Sequence, residues 1–488
     1  MASRPLPLPR SGPDASARRT PAWILPAGLL AVVAVTTLLA YDVKLGVALL
    51  VALCFVPIAF LQLPLAMCGW VVMVFFSRAP GLGGVANRLE LLIIACWLGL
   101  LAGRRTHLRR RLAQHRTVLL AVVAFTVWVL MTLAWAPDSA VAARAVRDLL
   151  YGVTAFALLL GTIVERRHAR WIMAAFVVGA TLSVLWGAAK GGLSGAIGGP
   201  GAVTDQDGRF QSGAGDPNYL AAVLAPAIML AGGLAFRRSS WQRLALAVAV
   251  SIIAIGLAAT QSRGGLVAAI VASLVALTIW RGRRLLIVAL LVIAVGATAV
   301  FFATSPSAWQ RIYAGNSTGS GRIDIWRVAW RVANDHPFAG VGISQFSQVS
   351  PHYVRQPGAL DYVDLIVDKH IVVHNLYLEL WVETGIVGLL LFLTIVVASI
   401  REAWRAIKLF DAQGDSEMAA LARTALLAIV GMLSASFFLS NVANRQIWIL
   451  LALGPMLAEI ARLRQAEAPV PLPTGVADEM DLAVELVS

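Results

Sequence analysis

Charge is scarce in this 488-residue chain: Asp, Glu, Lys and Arg make up only 14% of it, against 59% hydrophobic residues. A soluble globule carries about a quarter of its residues charged, so the balance excludes an ordinary water-soluble domain of this length. Acid is scarcer than base, with 26 Asp and Glu against 40 Lys and Arg and a formal net charge of +14. In a soluble chain such an excess would point to nucleic acid. Here the basic residues cluster between apolar runs, where they act as an orientation signal, and no nucleic-acid partner is expected. Cysteine is nearly missing as well. Cys54, Cys68 and Cys96 all fall inside apolar runs, where a thiol is a small hydrophobe and not a staple or metal ligand.

What the sequence does contain is long apolar stretches. Trp23–Ala40, Thr117–Trp135, Gly264–Trp280 and Leu285–Ala303 each approach the ~20 residues that cross a hydrocarbon core. Shorter or less uniform candidates are Leu45–Leu61, Pro64–Phe76, Leu89–Gly103, Asp148–Val164, Trp171–Ala189, Tyr219–Phe236, Leu244–Thr260, Leu376–Ile400, Ala420–Leu439 and Gln446–Ile460. Hydropathy therefore predicts an all-α fold, a polytopic transmembrane bundle of about 12–14 spans surrounded by membrane lipids. The predicted organisation is a cytoplasmic tail (1–21), N-terminal spans (22–303), a large outer loop (304–375), C-terminal spans (376–461) and a second cytoplasmic tail (462–488).

With the N-terminus inside and the spans alternating, the Arg-rich connections at 104–116, 165–170, 237–243, 281–284 and 401–418 all face the cytoplasm. That is the positive-inside pattern of a bacterial inner-membrane protein with both termini cytoplasmic. Two connections on the other, periplasmic side are longer than topology requires, Lys190 to Asn218 and Thr304 to Asn375. Long loops of that kind are usually functional. In the second, Ile325, Val328 and Ala329 alternate with Arg327 and Arg331, which predicts an amphipathic helix over Arg322–Asn334 that stops at His336-Pro337.

Four polar motifs fall on this outer side. Gly208-Arg209-Phe210 precedes Asp216-Pro217-Asn218 at a span entry; Arg209 is a candidate anion ligand, and Asn218 either contacts substrate or caps the helix. Gln261-Ser262-Arg263-Gly264-Gly265 forms a very short turn between two apolar spans, where an Arg either snorkels to the interface or faces a cavity. Gly319-Ser320-Gly321-Arg322 opens the amphipathic helix. There a guanidinium beside a helix N-terminus can hold phosphate oxygens, or simply pair with Asp324. Trp326 and Trp330 read as interfacial anchors. Finally, His374-Asn375-Leu376-Tyr377-Leu378-Glu379 enters a span, and an imidazole there titrates near neutrality. Asp205-Gln206-Asp207 and the Asp361, Asp364, Asp368 patch offer weak metal-ligand spacing, and no metal is assigned to them.

The ordered set of Ser-Arg-Gly-Gly turn, Gly-Arg-x-x-x-Trp helix, Asp-His-Pro-x-x-Gly-x-Gly segment and His-Asn-x-Tyr-Leu-Glu helix entry resembles the O-antigen ligase and polymerase family. The resemblance implies a GT-C-like membrane glycosyltransferase without cofactor or metal. It would move a glycan from polyprenyl (undecaprenyl) diphosphate to an acceptor hydroxyl, on lipid A core or another glycan, at the periplasmic face. It also implies His374 as catalytic base and Arg209, Arg263 and Arg322 as the diphosphate site, with Asn218 and Asn375 as further substrate contacts. A ligase is the expected member and a polymerase the alternative. A transporter or flippase is the competing class, but it would place ionisable groups near mid-bilayer or in paired broken helices.

Overall fold

The computed structural model of the chain describes residues 37, 53, 55–79, 84–103, 115–191, 209–280, 282, 284, 322–354, 356 and 371–467. The predicted spans Trp23–Ala40 and Leu285–Ala303 lie outside the described residues, apart from Thr37. So do Asp205, Asp207, Asp361, Asp364 and Asp368. The chain divides into two compact units, Met1–Leu61 and Gln62–Ser488. In the first, residues 55–61 are helical. In the second, the described elements are α1 (Leu63–Val74), α2 (Val85–Gly103), α3 (Arg116–Met131), α4 (Ser139–Thr162), α5 (Arg166–Ala189), α6 (Pro217–Leu234), α7 (Ser240–Ala259), α8 (Arg263–Ile279), α9 (Arg322–Asp335), α10 (Phe346–Val354), α11 (Leu376–Ala412), α12 (Ser416–Ala435) and α13 (Arg445–Glu467), with short 3-10 turns between some of them. Among the described residues eight helices are long and apolar enough to cross a membrane, and α1 and α8 are shorter apolar helices. The chain is an all-α polytopic membrane protein.

Helices must satisfy their own backbone in hydrocarbon, which is why a chain this apolar becomes helix and not sheet. Their sequences are apolar on all faces, and burial sorts them. The apolar windows of α12 and α13 are 83% and 89% buried and form the centre, whereas that of α7 is 17% buried and faces outward. Small residues let the central helices approach closely: α6 and α12 are rich in Ala, and α6 packs on α12, which also packs on α8 and α11.

Two element boundaries differ from hydropathy for a physical reason. Helix α4 begins at Ser139, not Asp148, because Asp138 caps it by accepting the backbone N–H groups of Ala140 and Val141, both at 2.9 Å. Arg144 and Arg147 dilute the apolar signal of that first stretch without breaking the helix. Helix α11 continues to Ala412 because Ala403, Ala406, Ile407 and Phe410 keep one buried face beyond Ile400.

Helix α11 is also broken, which its sequence had not suggested. At Gly385 the backbone leaves the helix (φ 67°, ψ 179°), a conformation open only to glycine at ordinary cost. The exposed backbone groups are taken up by the segment after α9. Val341 N–H donates to the Val382 carbonyl (3.0 Å), Gly342 N–H to that of Glu383 (2.9 Å), and Ile386 N–H to that of Pro337 (2.8 Å). Glu383 accepts the Ser344 N–H at 2.7 Å. The Asp-His-Pro-x-x-Gly-x-Gly segment is therefore a plug in a helix break. Above it, Ile325, Val328, Ala329 and Val332 of α9 share one apolar cluster with Phe346 and Tyr353 of α10 and Val382 of α11. Helix α9 covers the predicted amphipathic helix, and α10 is an additional element of the long loop.

At the opposite end of the bundle, charges are paired. Arg166 at the start of α5 meets Asp415 at 2.5 Å, Arg464 near the end of α13 meets the same carboxylate, and Arg170 and Arg238 meet Glu417 at 2.9 and 2.8 Å.

Gly340 (φ +68°) lies against this break, and a Cβ there would overlap the backbone of Glu383 and Gly385. Gly340→Ala should destabilise the protein by at least about 1–3 kcal/mol, read as a lowered midpoint in a thermal melt of the detergent-solubilised protein. An unchanged midpoint would show that the plug does not carry the break.

Candidate functional site

The motif residues are brought to one end of the bundle by helix caps. Asp216 caps α6 by accepting Tyr219 N–H at 2.7 Å, Ser262 caps α8 by accepting Gly265 N–H at 3.3 Å, and Asn375 caps α11 by accepting Tyr377 and Leu378 N–H at 3.0 and 3.1 Å. Each cap fixes a helix start, and each start points positive backbone dipole toward the same region. Asp216, not Asn218, is thus the cap of α6. Asn218 sits one residue past Pro217, and its carbonyl oxygen accepts both the Arg209 guanidinium (2.8 Å) and the Ser262 hydroxyl (3.0 Å). Arg209 Nε also donates to the Thr260 carbonyl at 3.0 Å. Two motifs far apart in sequence are stitched together through one amide.

Arg322 joins this group from the start of α9. The carboxylate nearest to it along the helix, Asp324, is buried and pairs with Arg327 at 2.9 Å, so the sequence alternative of an Arg322–Asp324 pair is replaced. Burial first, then the positive charge of Arg209, pushes Arg322 below the usual guanidinium range; Asp216 opposes the shift and Arg263 adds to it. Such mutual influence places Arg209, Arg263 and Arg322 around one region, with Asp216 beside them. His374 completes the set. Burial, then the charge of Arg322, holds its imidazole below the usual value of 6.5, with Asp216 opposing. At neutral pH the ring is therefore neutral and available as a proton acceptor.

Backbone strain collects at the same place. Ser212 (φ 50°), Gln261 (φ 50°) and His374 (φ 53°) all adopt the left-handed conformation, which residues with a side chain rarely do and which persists where the surroundings overdetermine it. The His374 main chain is clamped from both sides. Its N–H donates to Ser440 Oγ at 3.1 Å, and the preceding carbonyl, Val373, accepts the Trp326 indole N–H at 3.0 Å. Trp326 thus braces the imidazole-bearing segment. Trp330 stays half exposed and stacks edge-on with Trp381, ring centroids 5.0 Å apart.

Sequence reasoning assigned no site role to several residues that support this region. Arg78 had been counted only for topology, yet its N–H bonds the Gly213 carbonyl at 3.2 Å and its side chain lies over Gly215, next to Asp216. Arg445 is largely buried, bonding Glu90 and Asn87 at 2.6 Å each, while its neighbour Gln446 bonds the Tyr219 hydroxyl. Asp216-Pro217 is a recognisable cap-plus-proline signal for a helix start, so Asp216 was available from sequence. Ser440 carried no signal at all.

Together the apolar helices, the clustered guanidiniums and the adjacent neutral imidazole define a multi-pass membrane protein with an anion-receptive site at one end of its bundle. Residues 246–393 match the family model described as O-antigen ligase, and Arg263, Arg322, His374 and Asn375 lie within the matched segment. Arg209 and Asn218 lie before the matched segment and Ser440 after it. No curated protein matches the chain.

The coupling of His374 to Arg322 is measurable. In Arg322→Gln the His374 imidazole loses a repelling charge, so its titration midpoint should move up toward 6.5, as followed by NMR of ring-labelled histidine. A midpoint that stays where it is would separate the two residues.

Proposed function

We propose that this protein transfers a glycan from a polyprenyl diphosphate carrier to an acceptor hydroxyl at the periplasmic face of the inner membrane, as an O-antigen ligase does. The observation that carries the proposal is the convergence of Arg209, Arg263 and Arg322 beside His374, at the end of the bundle opposite the paired Arg166–Asp415 and Arg170–Glu417 cluster. The paired end bears the Arg-rich connections that the positive-inside pattern assigns to the cytoplasm.

In the proposed reaction the acceptor oxygen attacks the anomeric carbon while the bond from that carbon to the diphosphate oxygen breaks. The bonding pair leaves with the diphosphate, and the acceptor proton passes to the His374 imidazole. Guanidiniums held beforehand in a region of low dielectric stabilise that leaving charge most where it develops. Attack from the side opposite the diphosphate inverts the anomeric centre. The chemistry needs no divalent ion, since the arginines and helix N-termini do the neutralising. Lipid A core is the proposed acceptor; a second carrier-linked glycan would make the same site a polymerase. Charge gathered at one rim supports a transferase over a transporter, whose ionisable groups belong near mid-bilayer.

Purified protein given polyprenyl-diphosphate glycan and a panel of acceptors tests this directly. His374→Ala should lower turnover by about 10²- to 10⁴-fold with donor binding retained, and Arg263→Gln or Arg322→Gln should weaken both donor binding and turnover. Transfer should continue in EDTA. Full turnover by the His374 variant would remove the mechanism, and loss of transfer in EDTA would return a metal to it.

A further inference from the structure

Helices α8 and α11 start beside Arg263 and His374 and end, at the other end of the bundle, beside a cavity of about 580 Å³. Three aromatic side chains line it: Phe236 just after α6, Trp280 just after α8 and Trp404 on α11. The Phe236 and Trp280 rings stand 6.5 Å apart, and Trp404 is 43% exposed. The polar part of the lining is Asp411, Ser416 and Arg423.

Arg423 is the unusual member. It lies two turns into α12, a helix long and apolar enough to cross a membrane, whose apolar window is 83% buried. A guanidinium in such a helix is costly and marks a functional position unless structure alone explains it. Among the described residues its one partner is Asp411, at 2.7 Å, and its buried Nε has none. The pair is not needed to join α11 to α12. Asp415 N–H already donates to the Phe410 carbonyl at 2.9 Å, the Asp415 carboxylate caps α12 by accepting Met418 N–H at 3.2 Å, and the Gln413 amide donates to the Ala461 carbonyl at 2.8 Å. Nor does the pair resemble its neighbours. Asp415 and Glu417 are each shared by two arginines, whereas Asp411 meets Arg423 alone and keeps 46% of its side chain exposed. An acid and a base therefore line the cavity side by side, with the Ser416 hydroxyl, which accepts the Arg237 guanidinium at 3.1 Å, as a further polar group.

A ligand for this lining carries both charges in its head and an apolar body behind it. Free phosphate offers nothing to three aromatic rings, and a purely anionic lipid is repelled by Asp411. A phospholipid with an ammonium head group meets every part: its phosphate meets Arg423 and Ser416, its ammonium N–H groups donate to Asp411, and its glycerol and first acyl carbons lie against Phe236, Trp280 and Trp404. Tryptophan rings take this place where a helix end meets the head-group layer, and the cavity has the volume of a small-molecule site. We propose that this cavity binds the head group of a zwitterionic aminophospholipid, phosphatidylethanolamine by its chemistry, at the end of the bundle away from His374.

The test uses the full-length protein, reconstituted in vesicles of equal parts phosphatidylethanolamine, phosphatidylglycerol and phosphatidylcholine, extracted in mild detergent and weighed by native mass spectrometry. One phosphatidylethanolamine per chain should be retained, ahead of the other two lipids by about 10-fold, the scale of one charge-assisted hydrogen bond. Phosphatidylcholine tests the N–H donors, since its ammonium has none. Arg423→Gln and Trp404→Ala should each cut retention by about the same factor. Asp411→Asn should remove the preference for phosphatidylethanolamine over phosphatidylglycerol while lipid is still held. Should Arg423→Gln not fold, Asp411→Asn and Trp404→Ala, both at exposed side chains, carry the test. Equal retention of all three lipids would mark annular lipid only and overturn the site, as would Asp411→Asn and Trp404→Ala variants that bind as the unaltered chain does.

Discussion

Like charges held close to one another are the constraint around which this molecule is arranged. Arg209 and Arg263 both act against the charge of Arg322, and Arg322 acts against protonation of His374. Helix starts at Pro217, Arg263, Arg322 and Leu376 add partial positive charge at the same end of the bundle. Two members of the cluster are tied down by groups that cannot follow them into solvent. Arg209 is fixed by a backbone carbonyl and Asn218, and the His374 segment by Ser440 and Trp326. In the proposed reaction the diphosphate of the carrier would offset that repulsion in one group.

Holding that cluster at the membrane rim requires irregular backbone, which hydrocarbon does not forgive. The break of α11 at Gly385 is the largest irregularity, and the 337–344 segment satisfies it bond by bond. The plug connects chemistry to packing, because the same segment hangs from α9, whose first residue is Arg322 and whose Trp326 braces Val373. Shifting α9 would move Arg322 and the His374 segment together. The described part of the long loop, 322–354, thus bridges Arg322 and the α11 break through an apolar cluster that includes Val328, Phe346 and Val382.

Much of this was legible in the sequence, for reasons that can be named residue by residue. Spans follow from hydropathy because a bilayer admits few alternatives to helix, and the amphipathic α9 announced itself through Ile325, Val328 and Ala329. Arg209, Arg263, Arg322 and His374 could be singled out as candidates because polar residues at the ends of apolar runs are conspicuous. What stayed hidden depended on tertiary partners. Asn218 read equally well as a cap, since only the fold reveals that Asp216 takes that role and leaves the amide to Arg209. Gly385 looked like one more glycine in a span, because the carbonyls it strands are met from 337–344, some forty residues upstream. Arg445 seemed a topological stray until Glu90 appeared against it, 355 residues away in sequence.

The two ends of the bundle solve opposite electrostatic problems, and the contrast argues for where chemistry belongs. At one end Arg166 and Arg464 share Asp415, while Arg170 and Arg238 share Glu417. Those guanidiniums are already answered, so an arriving anion there must displace an intramolecular carboxylate and gains little. At the other end Asp324 is committed to Arg327 and Glu90 to Arg445, which leaves Asp216 as the acid that acts on both Arg322 and His374. Carboxylates being absorbed elsewhere keeps the His374 ring neutral, since a closer acid would raise its proton affinity and blunt it as a base. In the proposed reaction the same distribution of acid would serve both the diphosphate and the proton acceptor.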